Sequence, residues 1–161
     1  MTEANNPAAS ETEEGPQFAI LRIYLKDVSF EIPNAPQVFT EEWKPDINLQ
    51  INTEVSSVDT DVYEVVLNVT ATAQQGDKTG FLVEVQQAGV FTVRGFDEEQ
   101  KGSMLGAYCP NALYPFAREA ISNLVAKGGF PQLLLAPINF DALYAQKIAQ
   151  ASAPVDSARP N

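Results

Sequence analysis

The apolar positions of this chain change period once, near Asp97. Ahead of that point they alternate with a period of two, the mark of half-buried strands. In residues 46–55, Ile47, Leu49 and Ile51 fall on one side; Asp46, Asn48, Gln50 and Asn52 fall on the other. Residues 62–73 set Tyr63, Val65, Leu67 and Val69 against Glu64, Asn68 and Thr70. Residues 80–93 set Phe81, Val83, Val85 and Phe91 against Leu82, Glu84 and Gln86. The first strand, Phe18 to Ile32, changes parity: Ala19, Leu21, Ile23 and Leu25 share one face, then Val28, Phe30 and Ile32 take over on the other. One extra residue flips every later side chain, so a bulge is expected near Lys26–Asp27. Turns are expected at Ser56–Asp61 and Gln74–Lys78, and Pro33-Asn34-Ala35-Pro36 forces an irregular connection. Short turns between strands suggest an antiparallel meander.

After Asp97 the spacing becomes helical. Asp97 and Gln100 fit a capping box, and Met104, Tyr108, Phe116, Ala120, Ile121, Leu124 and Val125 recur at gaps of three and four. Pro110 and Pro115 predict a kink, and Lys127-Gly128-Gly129 predicts the helix end. An extended apolar loop follows over residues 130–138. Asn139 then caps a second helix carrying Leu143, Tyr144 and Ile148 on one face. Strands first and helices second give an α+β class, a four-stranded antiparallel sheet with two helices packed on one face.

Residues 1–16 read as a disordered acidic tail and residues 151–161 as a flexible C-terminal tail, leaving 17–150 as one folded domain. The net charge is −11: −4 in residues 1–16, −9 in 17–100 and +2 in 101–161. An acidic strand region favours basic partners over nucleic acid or anionic membrane. There is no histidine and one cysteine, Cys109. Internal disulfides, His-based triads, Cys–His dyads and a zinc site built from this chain's own Cys and His are thereby excluded. Cys109 reads as a small core residue. No catalytic residues are nominated: Asp59/Asp61 and Glu98/Glu99 lack a partner base, a phosphate loop or a metal-ligand set. A small-ligand enzyme or carrier is the rival from another class, and no constellation supports it. With no signal peptide and no run long enough to cross a bilayer, the expectation is a soluble cytoplasmic protein.

The chain also holds more apolar residues than one covered sheet face needs. Phe39, Trp43, Phe130 and Leu133 to Leu135 lie in irregular segments. Aromatic loops beside an apolar strand face can form a peptide-binding groove, or they can be core or subunit interface.

Several stretches resemble the SecB protein-export chaperone family. These include Arg22-Ile23-Tyr24, Lys26-Asp27-Val28-Ser29-Phe30-Glu31, Pro33-Asn34-Ala35-Pro36 and Asp61-Val62-Tyr63-Glu64-Val65-Val66-Leu67. Further on come Glu84-Val85-Gln86-Gln87, Gly106-Ala107-Tyr108-Cys109-Pro110-Asn111, Pro131-Gln132-Leu133 and Ala136-Pro137-Ile138-Asn139-Phe140-Asp141-Ala142-Leu143, in order over about residues 18–145. The resemblance implies a homotetramer, a dimer of dimers, that binds unfolded secretory precursors and passes them to the SecA motor. It implies no cofactor and no ATP use. It places motor contacts at Asp27, Glu31, Leu82 and Glu84, facing the zinc-bearing C-terminal tail of SecA; the zinc is SecA's. The short, non-acidic C-terminal tail here departs from the family pattern. The expected substrate groove is Phe39, Trp43, Ile47, Leu49, Ile51, Phe130, Leu133 and Leu143. The alternative function is a SecB-like chaperone dedicated to a toxin–antitoxin system.

Overall fold

The computed structural model of the protein describes residues 15–152. The two expected tails lie outside that range, except that Gly15 and Pro16 lead into the first strand and Ala151 and Ser152 close the last helix. Four strands, β1 (Gln17–Glu31), β2 (Asp46–Asp59), β3 (Val62–Gln75) and β4 (Lys78–Arg94), form one antiparallel sheet in the order β1-β4-β3-β2. Strands β2, β3 and β4 are the expected meander. Strand β1 is not its first member: it pairs with β4, and residues 32–45 cross over to the far edge. Strand β2 also runs on to Asp59, so the expected loop at residues 56–61 shrinks to Thr60 and Asp61. Asp61 takes a positive φ of 56°, which a short polar side chain tolerates.

The register resolves the parity change in β1. Leu25 pairs with Gln87 and Asp27 with Gln86, which leaves Lys26 as the bulge. A second bulge at Leu21, between Ile20 and Arg22, was not expected. The two bulges put Phe18, Ile20, Ile23, Leu25, Val28 and Phe30 on one face, paired with the odd-numbered residues of β4.

That face carries the helices. Glu98–Ser103 (α1), a π-helical turn at Met104–Tyr108 and Cys109–Lys127 (α2) form one continuous rod. The capping box of Asp97 and Gln100 is present. The expected irregularity near Pro110 takes the form of the π turn, just before a residue that cannot donate a helical N–H. Cys109, Leu113, Ala117, Ile121 and Val125 make a fully buried stripe at spacing four along α2. It packs on Val65, Leu67, Val69, Val83, Val85 and Phe91 of the two central strands. The rod ends at Gly128, with Gly129 at φ 85°. An irregular strap, residues 130–139, follows, tied to α2 by the Tyr114 hydroxyl, which donates to the Ala136 carbonyl at 2.6 Å. Asn139 caps α3 (Phe140–Ser152), its Oδ1 accepting from the Ala142 amide at 3.0 Å. Cys109 is core, and burial pushes its thiol up to about 12, so it stays protonated at neutral pH.

Candidate functional site

The rod packs mainly on β4 and β3 and reaches the edge strands only locally, the π turn touching β2 and α2 touching β1. On the β2 edge this leaves a path along the helix side of the sheet. Ile47, Leu49, Ile51, Thr53 and Val55 point that way, paired with Ala73, Ala71, Val69, Leu67 and Val65. Leu49 and Ile51 are half-buried against the core, whereas Ile47 and Val55 are exposed.

One end of the path is aromatic. Ile47, Ala73 and Phe81 form one cross-strand row. Over it the crossover segment lays Trp43, whose ring lies 6.1 Å from Phe81 and 4.6 Å from Phe130, and Phe39 sits 5.2 Å from Phe130. Gly80 makes this seat: a Cβ there would stand 2.6 Å from Trp43 Cη2. The crossover is pinned by Gln75, whose Nε2 donates to the Glu42 carbonyl at 2.6 Å and whose Oε1 accepts from the Lys44 amide at 2.8 Å. Lys78, at the start of β4, pairs with Glu41 at 3.3 Å.

At the other end α3 leans over β2 and encloses a groove of about 460 Å³, with Ile51, Val55, Leu105, Phe140, Leu143 and Tyr144 in its lining. Helix α3 rests on the rod through Tyr144, which fits against Gly102 and Gly106; a Cβ on Gly102 would lie 2.6 Å from the tyrosine oxygen, and one on Gly106 would overlap the ring. Only Phe140 of α3 is buried.

The expected groove set is therefore brought together in two clusters joined by β2. Phe39, Trp43 and Phe130 form one; Ile51 and Leu143 belong to the other; Ile47 and Leu49 link them. Phe130, 7% exposed, is the floor of the aromatic cluster, and Leu133 packs half-buried on the core. Val55, Tyr144 and the pair Gly102/Gly106 were missed by sequence reasoning; the spacing of four between the glycines on a helical face was the available signal.

The opposite, open face of the sheet has a different chemistry. Its cross-strand rows are Asn52–Asn68–Gln86–Asp27, Gln50–Thr70–Glu84–Ser29 and Asn48–Thr72–Leu82–Glu31. Asp27, Glu31, Leu82 and Glu84 thus share one corner of this face, with Glu84 beside Ser29, between the two β1 acids. The three carboxylates are exposed and, among the described residues, form no ion pair. Glu64, on the same face, is instead held by Lys26 at 2.8 Å and by the Tyr24 hydroxyl. Hydrogen bonds from Lys26 and Tyr24 lower the Glu64 carboxyl below its usual range, while burial, then Glu64, pushes the Tyr24 phenol up to about 12.

Among the described residues no helix is long and apolar enough to cross a membrane. The sequence model of the family described as "Preprotein translocase subunit SecB" matches residues 11–151. The Protein-export protein SecB of Nitrosococcus oceani is 55% identical over 150 residues, covering 92% of this chain and 92% of the relative. That of Thioalkalivibrio sulfidiphilus is 54% identical over 151 residues, covering 93% and 90%. Among solved structures, a Mycobacterium tuberculosis SecB-like chaperone in complex with an antitoxin peptide superposes with a TM-score of 0.63 at 20% identity, covering 75% of this chain and 90% of that one. At that identity the likeness speaks to fold alone, and the export chaperones, not the toxin–antitoxin branch, are the relatives at high identity. The chain belongs to the SecB family, and it is a protein-export chaperone.

Proposed function

We propose that the two faces of the sheet divide the work of an ATP-independent cytoplasmic holding chaperone. Unfolded secretory precursors lie on the helix-side path along β2, from Phe39 and Trp43 through Ile47, Leu49 and Ile51 to Leu143. The SecA motor, through its zinc-bearing tail, docks on the open-face corner of Asp27, Glu31, Leu82 and Glu84. The observation that carries this reading is the register, which sets an apolar path and an exposed acidic corner on opposite faces of one sheet. Apolar contact without sequence-specific hydrogen bonds suits a client defined only by being unfolded. An exposed carboxylate trio suits a basic partner.

Assembly as a dimer of dimers belongs to the same proposal. The β1 edge carries a second apolar band, Ile20, Leu21, Leu25 and Val28, all exposed in the monomer, with Tyr108 packed on Phe18 at 5.0 Å nearby. A contiguous exposed band of this kind fits a subunit interface. Linking several grooves in one tetramer raises avidity for a long client without demanding strong single contacts.

Titration of SecA tests the acidic corner. Asp27→Ala and Glu84→Ala weaken binding, most at low salt. Unchanged titration curves for both variants would remove the corner from the account. Native mass measurement tests the tetramer.

A further inference from the structure

We propose that Glu64 and Tyr24 are positioning residues for the acidic corner: they clamp the Lys26 bulge and hold its ammonium away from Asp27. The proposal rests on the reading of that corner as the motor-docking site.

The bulge decides which face the acids occupy. Lys26 has no partner in β4; with Leu25 opposite Gln87 and Asp27 opposite Gln86, all later β1 side chains exchange faces. Without that extra residue Asp27, Ser29 and Glu31 would turn toward the helices and Val28 and Phe30 toward the open face. Two side chains from the neighbouring strands brace the distortion. From the helix side Gln87, one of two buried polar residues among those described, donates from Nε2 to the Tyr24 carbonyl at 3.1 Å, just ahead of the bulge. From the open side Glu64 of β3 spans β4 and takes both the Lys26 ammonium at 2.8 Å and the Tyr24 hydroxyl. The Glu64 side chain is 17% exposed, and Ala88, which pairs with Tyr24, is fully buried beneath this bridge.

The clamp also manages charge. Lys26 is next to Asp27 in sequence and reaches the same face. A freed ammonium beside Asp27 would cancel part of the field that a basic partner meets. Tied to Glu64, it is neutralised two strands away.

The test uses the full-length protein, purified SecA and amide hydrogen exchange. Glu64→Gln speeds exchange at Lys26 to Val28 and weakens SecA binding by roughly fivefold at low salt, the effect of one unit charge brought beside the binding acids. Glu64→Gln combined with Lys26→Met removes both charges and restores affinity to within about twofold of the parent. Glu54→Gln, an exposed acid on the same face, controls for loss of net charge and leaves affinity within about twofold. Unchanged exchange at the bulge in Glu64→Gln overturns the clamp. A Glu64→Gln effect no larger than that of Glu54→Gln, or a double variant that stays weak, overturns the charge-parking role. If Asp27→Ala binds SecA as the parent does, the docking reading itself fails and the role assigned to Glu64 falls with it. If Asp27→Ala is weak while Glu64→Gln is not, only the present proposal fails.

Discussion

Replacing Ile47 and Val55 with Thr and Leu143 with Gln removes apolar surface from the groove at the positions where the fold depends on it least. Leu49 and Ile51 lie on the same path but pack on the core, so polar residues there would mix lost binding with lost stability. Ile47, Val55 and Leu143 leave 41%, 45% and 42% of their surface to solvent. Full burial of such a side chain contributes about 1.5–3 kcal/mol, so a client covering the exposed part gains about 0.6–1.3 kcal/mol at each position. Thr keeps one methyl and Gln keeps its stem, so roughly two-thirds of that gain is lost, ~1.2–2.6 kcal/mol over the three sites. In affinity this is roughly an 8- to 80-fold rise in Kd for an unfolded precursor. Fluorescence anisotropy of a labelled, permanently unfolded precursor measures it. Thermal unfolding run alongside shows a fold retained, because threonine suits a strand and glutamine a helix. A Kd within threefold of the parent's, in a protein that remains folded and fully assembled, would refute the groove.

Other expectations follow from single contacts. Gly80→Ala drives a methyl into the Trp43 indole, destabilises by about 1–3 kcal/mol through overpacking, and shifts the emission of Trp43, the only tryptophan in the chain, to the red; an unshifted spectrum would mean that the crossover does not seat on β4. Gly106→Ala gains about 1 kcal/mol of helix propensity but collides with Tyr144, so hydrogen exchange accelerates across α3 while the sheet stays protected; uniform protection of α3 would contradict its attachment through Tyr144. The Glu64 carboxyl is lowered in the folded state. Its contribution is therefore present above the ordinary carboxylate range and is lost as pH falls through the lower, folded value. The stability gap between parent and Glu64→Gln, followed by denaturant titration, closes on acidification. The Tyr24 phenol is raised to about 12, so its share is lost as pH rises from about 10 toward that value, and Tyr24→Phe flattens the alkaline limb.

Much of the sheet was legible because one face of each central strand is fully buried, which enforces strict alternation in β3 and β4. The Lys26 bulge was legible for the same reason: polar residues took over the apolar parity at Asp27. The Leu21 bulge was not, because Ile20 and Leu21 are both apolar and a slip between them leaves no mark in the pattern. The end of β2 was lost because its last residues overhang the core, so Ser56, Ser57 and Asp59 face water. Strand order was out of reach: periodicity says which side chains share a face, not which strand lies beside β1. The set Asp27, Glu31, Leu82 and Glu84 came from family resemblance, and residue spacing paired it only within each strand; the cross-strand register makes it one corner. The groove was half legible. The β2 alternation announced its wall, whereas the meaning of Gly102 and Gly106 appears only with Tyr144 opposite them.

The division of labour between the two faces is tested most directly by site-specific photo-crosslinking. One photoreactive residue replaces Ile47 on the helix side, and another replaces Ser29 on the open face. With unfolded precursor and SecA both present, the account predicts that position 47 captures precursor and position 29 captures SecA. Precursor captured equally from both positions, or SecA captured from position 47, would contradict it.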